Sequence, residues 1–455
     1  MSSELAALRT SLGQAIGEDH VLANLDATAP YAVDGVCPAL VLRPGTQDEV
    51  AQVVTACAAA GVALVPWGGG TAMAVGNPPQ RLDAVLSLER LDRVVEFDAD
   101  NLCITVEAGL TLARLQALVA KKQEILPLDP PEANRVTLGG LVAANLSGPS
   151  RLLHGTARDW VLGLRVVLPN GERIRCGGRV IKNVTGYDMN KLFIRSFGTL
   201  GIITEVTVKL LPMPEARASV LGLFPALAAA NSVLEAVQAS FLLPEAMDLL
   251  DPTAAGLLLP TLGLASPTGH LLATAFSGSL ATVDRQVRDL ETLIAGQGGR
   301  SLTLRDGAST QAWQALTNVL GSVPPDHLRV VIQVAVPIGR TPGMLASISA
   351  RAADQGLSAA VTAHAASGLL RAALLPAPGL PADSALEALA AATLALRDEA
   401  VALGGSLTVQ AGVPAFKARV DAWGKPGSGF ATMRRIKDAF DPQGLCSPGR
   451  FLGGI

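Results

Sequence analysis

Residues 64–71 read LVPWGGGT, and this stretch decides the fold. An apolar run typical of a β-strand breaks at a proline, passes through three glycines and ends on a hydroxyl residue. Successive glycines can adopt positive φ and bring the backbone close to a ligand, because no Cβ is in the way. Consecutive N–H groups in such a turn form an anion-binding concavity. We therefore expect a phosphate-bearing ligand at this loop.

The composition describes a large globular protein. The 455 residues suffice for two or three domains, and 49% hydrophobic against 16% charged residues excludes global disorder. The formal net charge is −3, from 36 basic and 39 acidic residues. This balance gives no electrostatic case for nucleic acid as a partner.

Cysteine usage and hydropathy bear on the compartment. The five cysteines are scattered and form no C-x-x-C pair, which predicts a reducing compartment and argues against a zinc or iron–sulfur site held by this chain alone. The first residues lack the basic and apolar pattern of a signal peptide. Residues 252–283 carry no Asp, Glu, Lys or Arg, but prolines and glycines interrupt them well short of the roughly 20 residues that cross a bilayer. We expect two buried strands joined by a loop there, and no transmembrane segment.

Three blocks follow one another along the chain. Residues 1–215 alternate short β-branched runs with amphipathic stretches, and Thr46 with Glu49 predicts a capping box that opens a helix. Residues 216–406 repeat a strand followed by an Ala/Leu-rich helix, which predicts a separate α+β domain with helices on one face of a sheet. Residues 407–455 return to a strand, a helix with basic residues and the tail DPQGLCSPGRF.

Further glycine-rich blocks follow the first one, at residues 127–160, 177–193 and 196–212. None has the G-x-G-x-x-G pattern after a first strand, so a Rossmann site for NAD is not indicated. Each block alone is compatible with ordinary tight turns. Four blocks in this order favour backbone approach along an elongated ligand.

The motifs GVALVPWGGGTAM, LDPP…TLGGLVAANLSGP…GTARDWVLGLRVVLPNGE and SFGTLGIITEVTVKLLP resemble the FAD-binding domain of the vanillyl-alcohol oxidase/p-cresol methylhydroxylase (PCMH) superfamily. Within it, GGRVIKNVTGYD and WG…MRRIKDAFDPQGLCSPGR are most similar to the FAD-binding E subunits of bacterial glycolate oxidases. The resemblance implies an α+β fold: a two-lobed PCMH-type FAD-binding domain (1–215), a ferredoxin-like α+β cap (216–406) and a C-terminal segment that returns to the flavin (407–455).

The resemblance also assigns residues to FAD. The pyrophosphate would be bound by the loop that ends at Gly76, namely Pro66, Trp67, Gly68, Gly69, Gly70, Thr71 and Ala72. The second side of the cofactor would be lined by Pro131, Thr137, Gly139, Gly140, Ala144, Gly148 and Asp159. Gly201 and Ile203 would lie near the adenine or ribose, and Asn183, Tyr187 and Arg450 nearer the isoalloxazine.

Two positions depart from the pattern of the superfamily. Trp67 stands where relatives commonly have Arg or a His-bearing loop, and Ser447 stands before Pro448 where Asn is usual. Without a His in the loop we expect non-covalent FAD. Cys103 and Cys176 are expected to be core thiols and not flavin attachment points.

The catalytic machinery is altered. Related D-2-hydroxyacid dehydrogenases carry G-H-x-G-D-G-N-x-H in the cap, whose histidines hold a metal, and a later Glu-His. Here residues 363–371 read AHAASGLLR: His364 remains, Arg371 replaces the second His, and Gln410 begins the segment where Glu-His would be. One imidazole cannot hold a metal well, so we expect no metal. His364, Arg371 and Tyr187 are candidate catalytic residues. The alternatives are a hydrogen-bonded core His, a packing Tyr ring and, for Arg371, a surface or ion-pair role, which is favoured over substrate binding.

Three hypotheses of function remain. The first is an FAD-binding subunit of a glycolate oxidase-type complex, acting with a D-type flavin subunit and an iron–sulfur subunit to oxidise glycolate or a related D-2-hydroxy acid to the 2-oxo acid. The second is a stand-alone, metal-independent dehydrogenase for a small 2-hydroxy acid, and the third a flavin-bearing structural subunit without turnover. In each case we expect a cytoplasmic protein, or one peripheral to the inner membrane through its partners.

Overall fold

The computed structural model describes residues 3–179, 186–265, 268–322 and 328–455. Two small sheets form the first part of the chain and share one hydrophobic core, and a large sheet forms the second part. Within the described ranges, no helix combines the length and hydropathy that crossing a bilayer requires.

The first part of the chain contains eight helices and eleven strands among its described residues. The helices are α1 (Ser3–Ile16), α2 (Leu25–Thr28), α3 (Gln47–Ala59), α4 (Leu112–Val119), α5 (Leu138–Ala144), α6 (Arg151–His154), α7 (Ala157–Trp160) and α8 (Asn190–Phe193). The strands are β1 (Val21–Leu22), β2 (Leu40–Leu42), β3 (Leu64–Trp67), β4 (Ala84–Ser87), β5 (Val94–Asp98), β6 (Cys103–Glu107), β7 (Glu124–Ile125), β8 (Val161–Val167), β9 (Arg173–Gly177), β10 (Ile202–Lys209) and β11 (Leu211–Pro212).

These strands form the two lobes that the sequence predicts. One lobe is a sheet of order β1-β2-β4-β3, in which β2, β4 and β3 run parallel. The other is an antiparallel sheet of order β5-β6-β10-β8-β9, and β11 pairs separately with β7. The parallel pairing places the carboxyl ends of β3 and β4 at the same edge of the sheet. The glycine loop, which follows β3, begins at this carboxyl edge.

The predicted capping box at the start of α3 forms in a modified way. Thr46 Oγ1 accepts a hydrogen bond from the Glu49 amide at 3.1 Å, as expected. Glu49 Oε2 accepts from the Gly45 amide at 2.7 Å, one residue before the predicted partner. The amphipathic face of α3 then buries Val50, Val53, Val54 and Cys57 against the core.

The cap is a single eight-stranded sheet. Its strands are β12 (Ala216–Phe224), β13 (Ala246–Leu250), β14 (His270–Gly278), β15 (Arg300–Arg305), β16 (Val330–Ala335), β17 (Leu357–His364), β18 (Leu369–Pro376) and β19 (Ser406–Ala411). Its helices are α9 (Leu227–Gln238), α10 (Pro252–Thr261), α11 (Leu280–Gly296), α12 (Asp306–Asn318), α13 (Thr341–Asp354) and α14 (Ala382–Ala402).

The sheet order β15-β12-β14-β13-β17-β18-β16-β19 shows that the cap is built twice from one unit. Each half contains a β-α-β-β-α-β unit with the ferredoxin-like order, with α10 inserted between β13 and β14 in the first half, and β13 and β17 join the halves. Helices α9, α11, α13 and α14 cover one face of the sheet. On the other face α10 and α12 cover only one end, so the remaining strand ends face the FAD-binding lobes.

The expectation of two buried strands within residues 252–283 is wrong in its first half. Residues 252–261 form α10, whose first turn is capped by Asp251 Oδ1 accepting from the Ala254 amide at 2.8 Å, with Pro252 at the first helical position. Only β14 is a strand. A short apolar run has no clear period, and here the Asp-Pro start selects the helix.

The C-terminal segment contains α15 (Pro414–Lys417) and α16 (Phe430–Phe440) and then runs back to β3. The Leu64 amide donates to the Leu445 carbonyl and the Ser447 amide to the Leu64 carbonyl, both at 2.8 Å. Buried Lys437 Nζ fixes this return by donating to Asp441 Oδ2 at 2.6 Å and to the Cys446 carbonyl at 2.9 Å. The segment thus ends beside the strand that leads into the glycine loop.

Candidate active site

The glycine loop forms one wall of a cleft of about 850 Å³ between the two lobes. The start of α5 and the entry to β10 form the other walls. The predicted residues that line this cleft are Pro66, Trp67, Gly68, Gly69, Gly70, Thr71, Ala72, Thr137, Gly139, Gly140, Ala144, Gly201, Ile203 and Arg450.

The three glycines are required by the protein itself as well as by a ligand. A Cβ on Gly68 would overlap Thr137 Oγ1, and a Cβ on Gly69 would overlap the Arg135 carbonyl oxygen. Gly70 has φ +73°, a conformation that side chains rarely adopt, and its added Cβ would lie 2.8 Å from the Trp67 ring. The loop therefore lies directly on residues 135–137 and presents bare backbone to the cleft.

Arg450 reaches the cleft from the C-terminal segment. Its Nη2 donates to the carbonyls of Met73 and Val75, both at 2.8 Å, and so fixes the end of the loop. Its Nη1 is buried without a partner in the described structure, and burial lowers the pKa of Arg450. A half-paired cation beside exposed loop backbone fits the diphosphate of a dinucleotide.

Other residues assigned by the resemblance lie outside this cleft. Gly148 packs on the Asp129 carbonyl, Asp159 closes a capping box by accepting from the Thr156 amide at 2.8 Å, and Gly76 abuts the Arg450 carbonyl. Tyr187 is 94% exposed, so the structure does not bring it to the flavin site. Pro131 lines a neighbouring cavity, and Asn183 lies outside the described residues.

Sequence reasoning missed several apolar residues of the cleft. They are Val65, Met73, Val75, Leu88, Ala143, Phe197 and Gly198. Phe197 and Gly198 belong to the block at 196–212, and both have positive φ. A bulky residue with positive φ marks a constrained turn, but the sequence alone does not reveal that conformation.

A second cavity, of about 1130 Å³, adjoins the cleft and shares Val75, Ala144 and Phe197 with it. One wall is the uncovered end of the cap sheet. There the strand register places Thr362, Arg371, Gln333 and Thr408 in one row across four strands. The cap therefore presents polar side chains to the space beside the flavin cleft.

This cavity is rich in arginine. Arg371 lines it from β18 and has no hydrogen-bond or ion-pair partner in the described ranges, and burial lowers the pKa of Arg371. Arg151 and Arg195 line the opposite wall; burial, then the charge of Arg195, lowers the pKa of Arg151. An unpaired guanidinium facing a cavity is suited to bidentate binding of a carboxylate.

His364 lies in the same cavity and has a partner that the sequence did not reveal. Its Nδ1 is 2.8 Å from Asp248 Oδ1, and both side chains are buried. The lone Asp in the apolar strand AMDLL was the available signal, because a fully buried Asp almost always has a partner. The structure thus brings His364 and Arg371 together but leaves Tyr187 apart.

The described residues contain no group of three His, Cys, Asp or Glu side chains that could hold a metal ion. Three arginines, Arg151, Arg195 and Arg371, line the cavity together with His364, and their charge disfavours a bound cation. The chemistry available to this cavity is therefore that of an imidazole, a carboxylate and guanidinium groups.

Comparisons with known proteins agree with this geometry. Residues 38–177 match the FAD binding domain model, and residues 213–451 match the model of the C-terminal domain of FAD linked oxidases. Glycolate oxidase subunit GlcD of Bacillus subtilis is 30% identical over 94% of this chain and 91% of that protein. D-2-hydroxyglutarate dehydrogenase of Xanthomonas citri is 28% identical over 91% of this chain and 89% of its own length.

Solved structures support the fold. p-Cresol methylhydroxylase with bound substrate superposes with a TM-score of 0.78 at 17% identity, covering 99% of this chain and 97% of its own. Alkyldihydroxyacetonephosphate synthase gives 0.76 at 19% identity, covering 98% and 86%. The superfamily resemblance, the α+β fold and FAD as cofactor are confirmed, while the subunit type stays a prediction. The chain belongs to the FAD-linked oxidases with a PCMH-type fold, and it is an FAD-dependent oxidoreductase.

Proposed function

We propose that this chain oxidises glycolate or a related D-2-hydroxy acid to the 2-oxo acid, as the FAD-binding E-type subunit of a glycolate oxidase-type complex. Relatives that span most of the chain are named as a glycolate oxidase subunit, a D-lactate dehydrogenase and a D-2-hydroxyglutarate dehydrogenase. The motifs around residues 177–188 and 423–450 favour the E type.

Arg371 is the observation that carries this proposal. Its guanidinium is unpaired within the described ranges and faces the cavity that adjoins the cofactor cleft. Arg371 is partly buried and has no counter-ion among the described residues, and a substrate carboxylate would pair with it. When bound in the cleft, FAD supplies the acceptor for the hydride of a hydroxy acid. Arg371 would then hold the carboxylate while the reacting carbon faces the cleft.

The same arrangement favours turnover by this chain over a purely structural role. A subunit that only stabilised an interface would have no use for a positive cavity beside its flavin. The arginines also favour a metal-independent reaction, since they replace the charge that a metal would offer to the carboxylate. A stand-alone dehydrogenase remains the alternative to a complex.

The partners belong to the proposal as well. All five cysteines are free, and four of them, Cys57, Cys103, Cys176 and Cys446, are buried. The described residues contain no group of three cysteine, histidine or acidic side chains that could hold a metal. An iron–sulfur cluster would then lie in another chain, next to a D-type flavin subunit. The cleft lining includes no His, Cys or Tyr among the described residues, which supports non-covalent FAD. A cytoplasmic location, or attachment to the inner membrane through these partners, follows from the same proposal.

The test is anaerobic reduction of the FAD of the purified chain, followed by flavin absorbance. We expect glycolate or D-lactate to bleach the flavin, and Arg371→Met to raise the half-saturating concentration about 10- to 100-fold, the loss of one charge-assisted pair. Arg285→Met, which removes an exposed partner of Asp289, is the matched control. Loss of FAD reduction with every 2-hydroxy acid tested would favour the structural subunit and overturn turnover by this chain.

A further inference from the structure

Asp248 and His364 form an isolated pair at the wall of the arginine-rich cavity. They lie opposite each other on neighbouring strands, β13 and β17, which join the two halves of the cap. Asp248 is completely buried, and His364 is 8% exposed and lines the cavity. By the resemblance described above, His364 occupies the position of a metal-binding histidine of the related dehydrogenases, yet the described residues contain no group that could hold a metal ion.

The hydrogen bond fixes the imidazole in one tautomer. An ionised carboxylate only accepts hydrogen bonds, so His364 must carry its proton on Nδ1, 2.8 Å from Asp248 Oδ1. Nε2 then bears a lone pair. Nε2 has no partner in the described ranges and is not among the buried unpartnered atoms, so it is open to the cavity.

We propose that His364 is the general base of this enzyme and that Asp248 is its positioning residue, a proposal that rests on the function proposed above. Nε2 of His364 accepts the proton of the substrate hydroxyl, and the O–H bond breaks as the C=O bond forms. The hydrogen on the same carbon leaves with its electron pair, for which bound FAD supplies the acceptor. Asp248 holds the ring in the tautomer that can accept and stabilises the imidazolium that forms.

The register of the sheet places this base beside the carboxylate-binding group. Arg371 pairs with Thr362, two residues before His364 on β17, so the base and the cation lie on one face about 7 Å apart along the strand. A 2-hydroxy acid carries its carboxylate and its hydroxyl on adjacent carbons. One small substrate can therefore contact Arg371 and His364 together.

Charged groups of both signs lie around His364. Asp248 and the buried Asp129 are the acidic groups near the ring, and Arg151, Arg195 and Arg371 line the same cavity. A neutral imidazole before reaction is what a base requires. The second oxygen of Asp248, Oδ2, is buried without a partner in the described structure, so the imidazolium is the group that would compensate this carboxylate.

Three variants test the proposal on the FAD-loaded protein. His364→Gln removes the base and Asp248→Asn removes the charge that orients it. Glu245→Gln is the matched control, since Glu245 Oε1 forms the comparable pair with His154 Nε2 at 3.3 Å outside this cavity. We expect the first two to slow anaerobic FAD reduction about 10²- to 10⁴-fold with less than threefold change in substrate affinity, and the control to reduce at the wild-type rate.

A second readout does not depend on turnover. Long-range ¹H–¹⁵N correlation on ¹⁵N-histidine protein reports which nitrogen of each of the five histidines carries a proton. His364→Gln identifies the resonances, and we expect the Nδ1–H tautomer in the wild type and its loss or mixture in Asp248→Asn. Such a change is not produced by a role in packing alone.

The outcomes separate the two proposals. A wild-type flavin that no 2-hydroxy acid reduces overturns the proposed function. A wild type that is reduced, with Asp248→Asn and His364→Gln reduced at the same rate, overturns only the base and its positioning residue. A proton on Nε2 of His364 in the wild type also overturns the pair.

Discussion

Gly140 is the residue at which the flavin site can be probed with the least damage to the fold. A Cβ added there would come within 3.1 Å of Thr137 Oγ1 and would otherwise meet only its own helix, so the methyl group would project into the cleft. Gly140→Ala should weaken FAD binding at least tenfold. The apo protein should unfold at the same or a higher temperature, because alanine favours a helix over glycine by about 0.5–1 kcal/mol. Titration of the apo protein with FAD and thermal unfolding measure both.

The control is Gly343→Ala in α13, where an added Cβ meets no atom within 4 Å and the cleft is distant in the fold. It should keep wild-type FAD affinity. Equal affinity in both variants would remove Gly140 from the cofactor site. Gly69→Val would be a poorer probe, because its side chain would collide with the Arg135 carbonyl whether or not a phosphate binds.

At the scale of residues, the sequence predicts the local conformation of the backbone. It does not predict contacts between side chains that are distant along the chain. The loop at 66–72 is recognisable because its glycines are a local signal. The pairing of Asp248 with His364 joins strands more than a hundred residues apart, and only the register of the sheet creates it. The sequence also does not predict that Arg151 and Arg195 line the same cavity as His364, because this depends on how the lobes pack against the cap.

Helix starts show which local signals are sufficient. Thr46 caps α3 as predicted, because a cap depends on residues within one turn. The start of α10 at Asp251 and Pro252 carries an equally local signal, yet the apolar residues that follow are compatible with strand or helix. Element type in short apolar runs is therefore decided by the cap and not by periodicity.

Asp251 gives this cap a pH dependence. Its Oδ1 accepts from the amides of Ala254 and Val361, and burial raises its pKa from 3.8 to about 6. Between about pH 4 and 6 the folded state keeps a proton that the unfolded chain has lost, so the wild type loses stability as the pH rises through this interval. Asp251→Asn keeps the acceptor without the charge. It should be more stable than the wild type at pH 7.5 by about 1–3 kcal/mol, and roughly a third of that difference should remain at pH 4.5.

Urea unfolding at the two pH values measures this difference. Asp251→Ala serves as the comparison, since it removes the acceptor as well and should be less stable than Asp251→Asn at both pH values by about 1 kcal/mol or more. A difference between Asp251→Asn and the wild type that is the same at both pH values would exclude the carboxyl group as its source.

On the scale of the molecule, the two lobes and the C-terminal return follow from the sequence, but the duplication of the cap does not. Its halves share an order of elements and no evident sequence repeat. The two halves are alike because their strands pair in the same order, not because their residues are the same. A single sequence carries little information on pairing between distant strands. The cavity between cap and lobes was unpredictable for the same reason.

Trp423 joins the three parts of the chain. It follows the cap sheet in the chain. Its ring packs edge-on against Phe197 of the FAD-binding lobes and Phe451 of the tail, with ring centroids 5.1 and 4.9 Å apart. Its Nε1 donates a hydrogen bond to the Arg450 carbonyl at 2.8 Å. Phe197 has φ +52°, a strained conformation that depends on such packing, and it lines both cavities. Trp423→Ala should therefore cost about 3 kcal/mol of stability and also weaken FAD binding, whereas Trp423→Phe, which keeps the ring contacts, should cost about 1 kcal/mol. Thermal unfolding followed together with flavin fluorescence tests this, and an alanine variant that keeps both wild-type values would show that the tail does not support the flavin site.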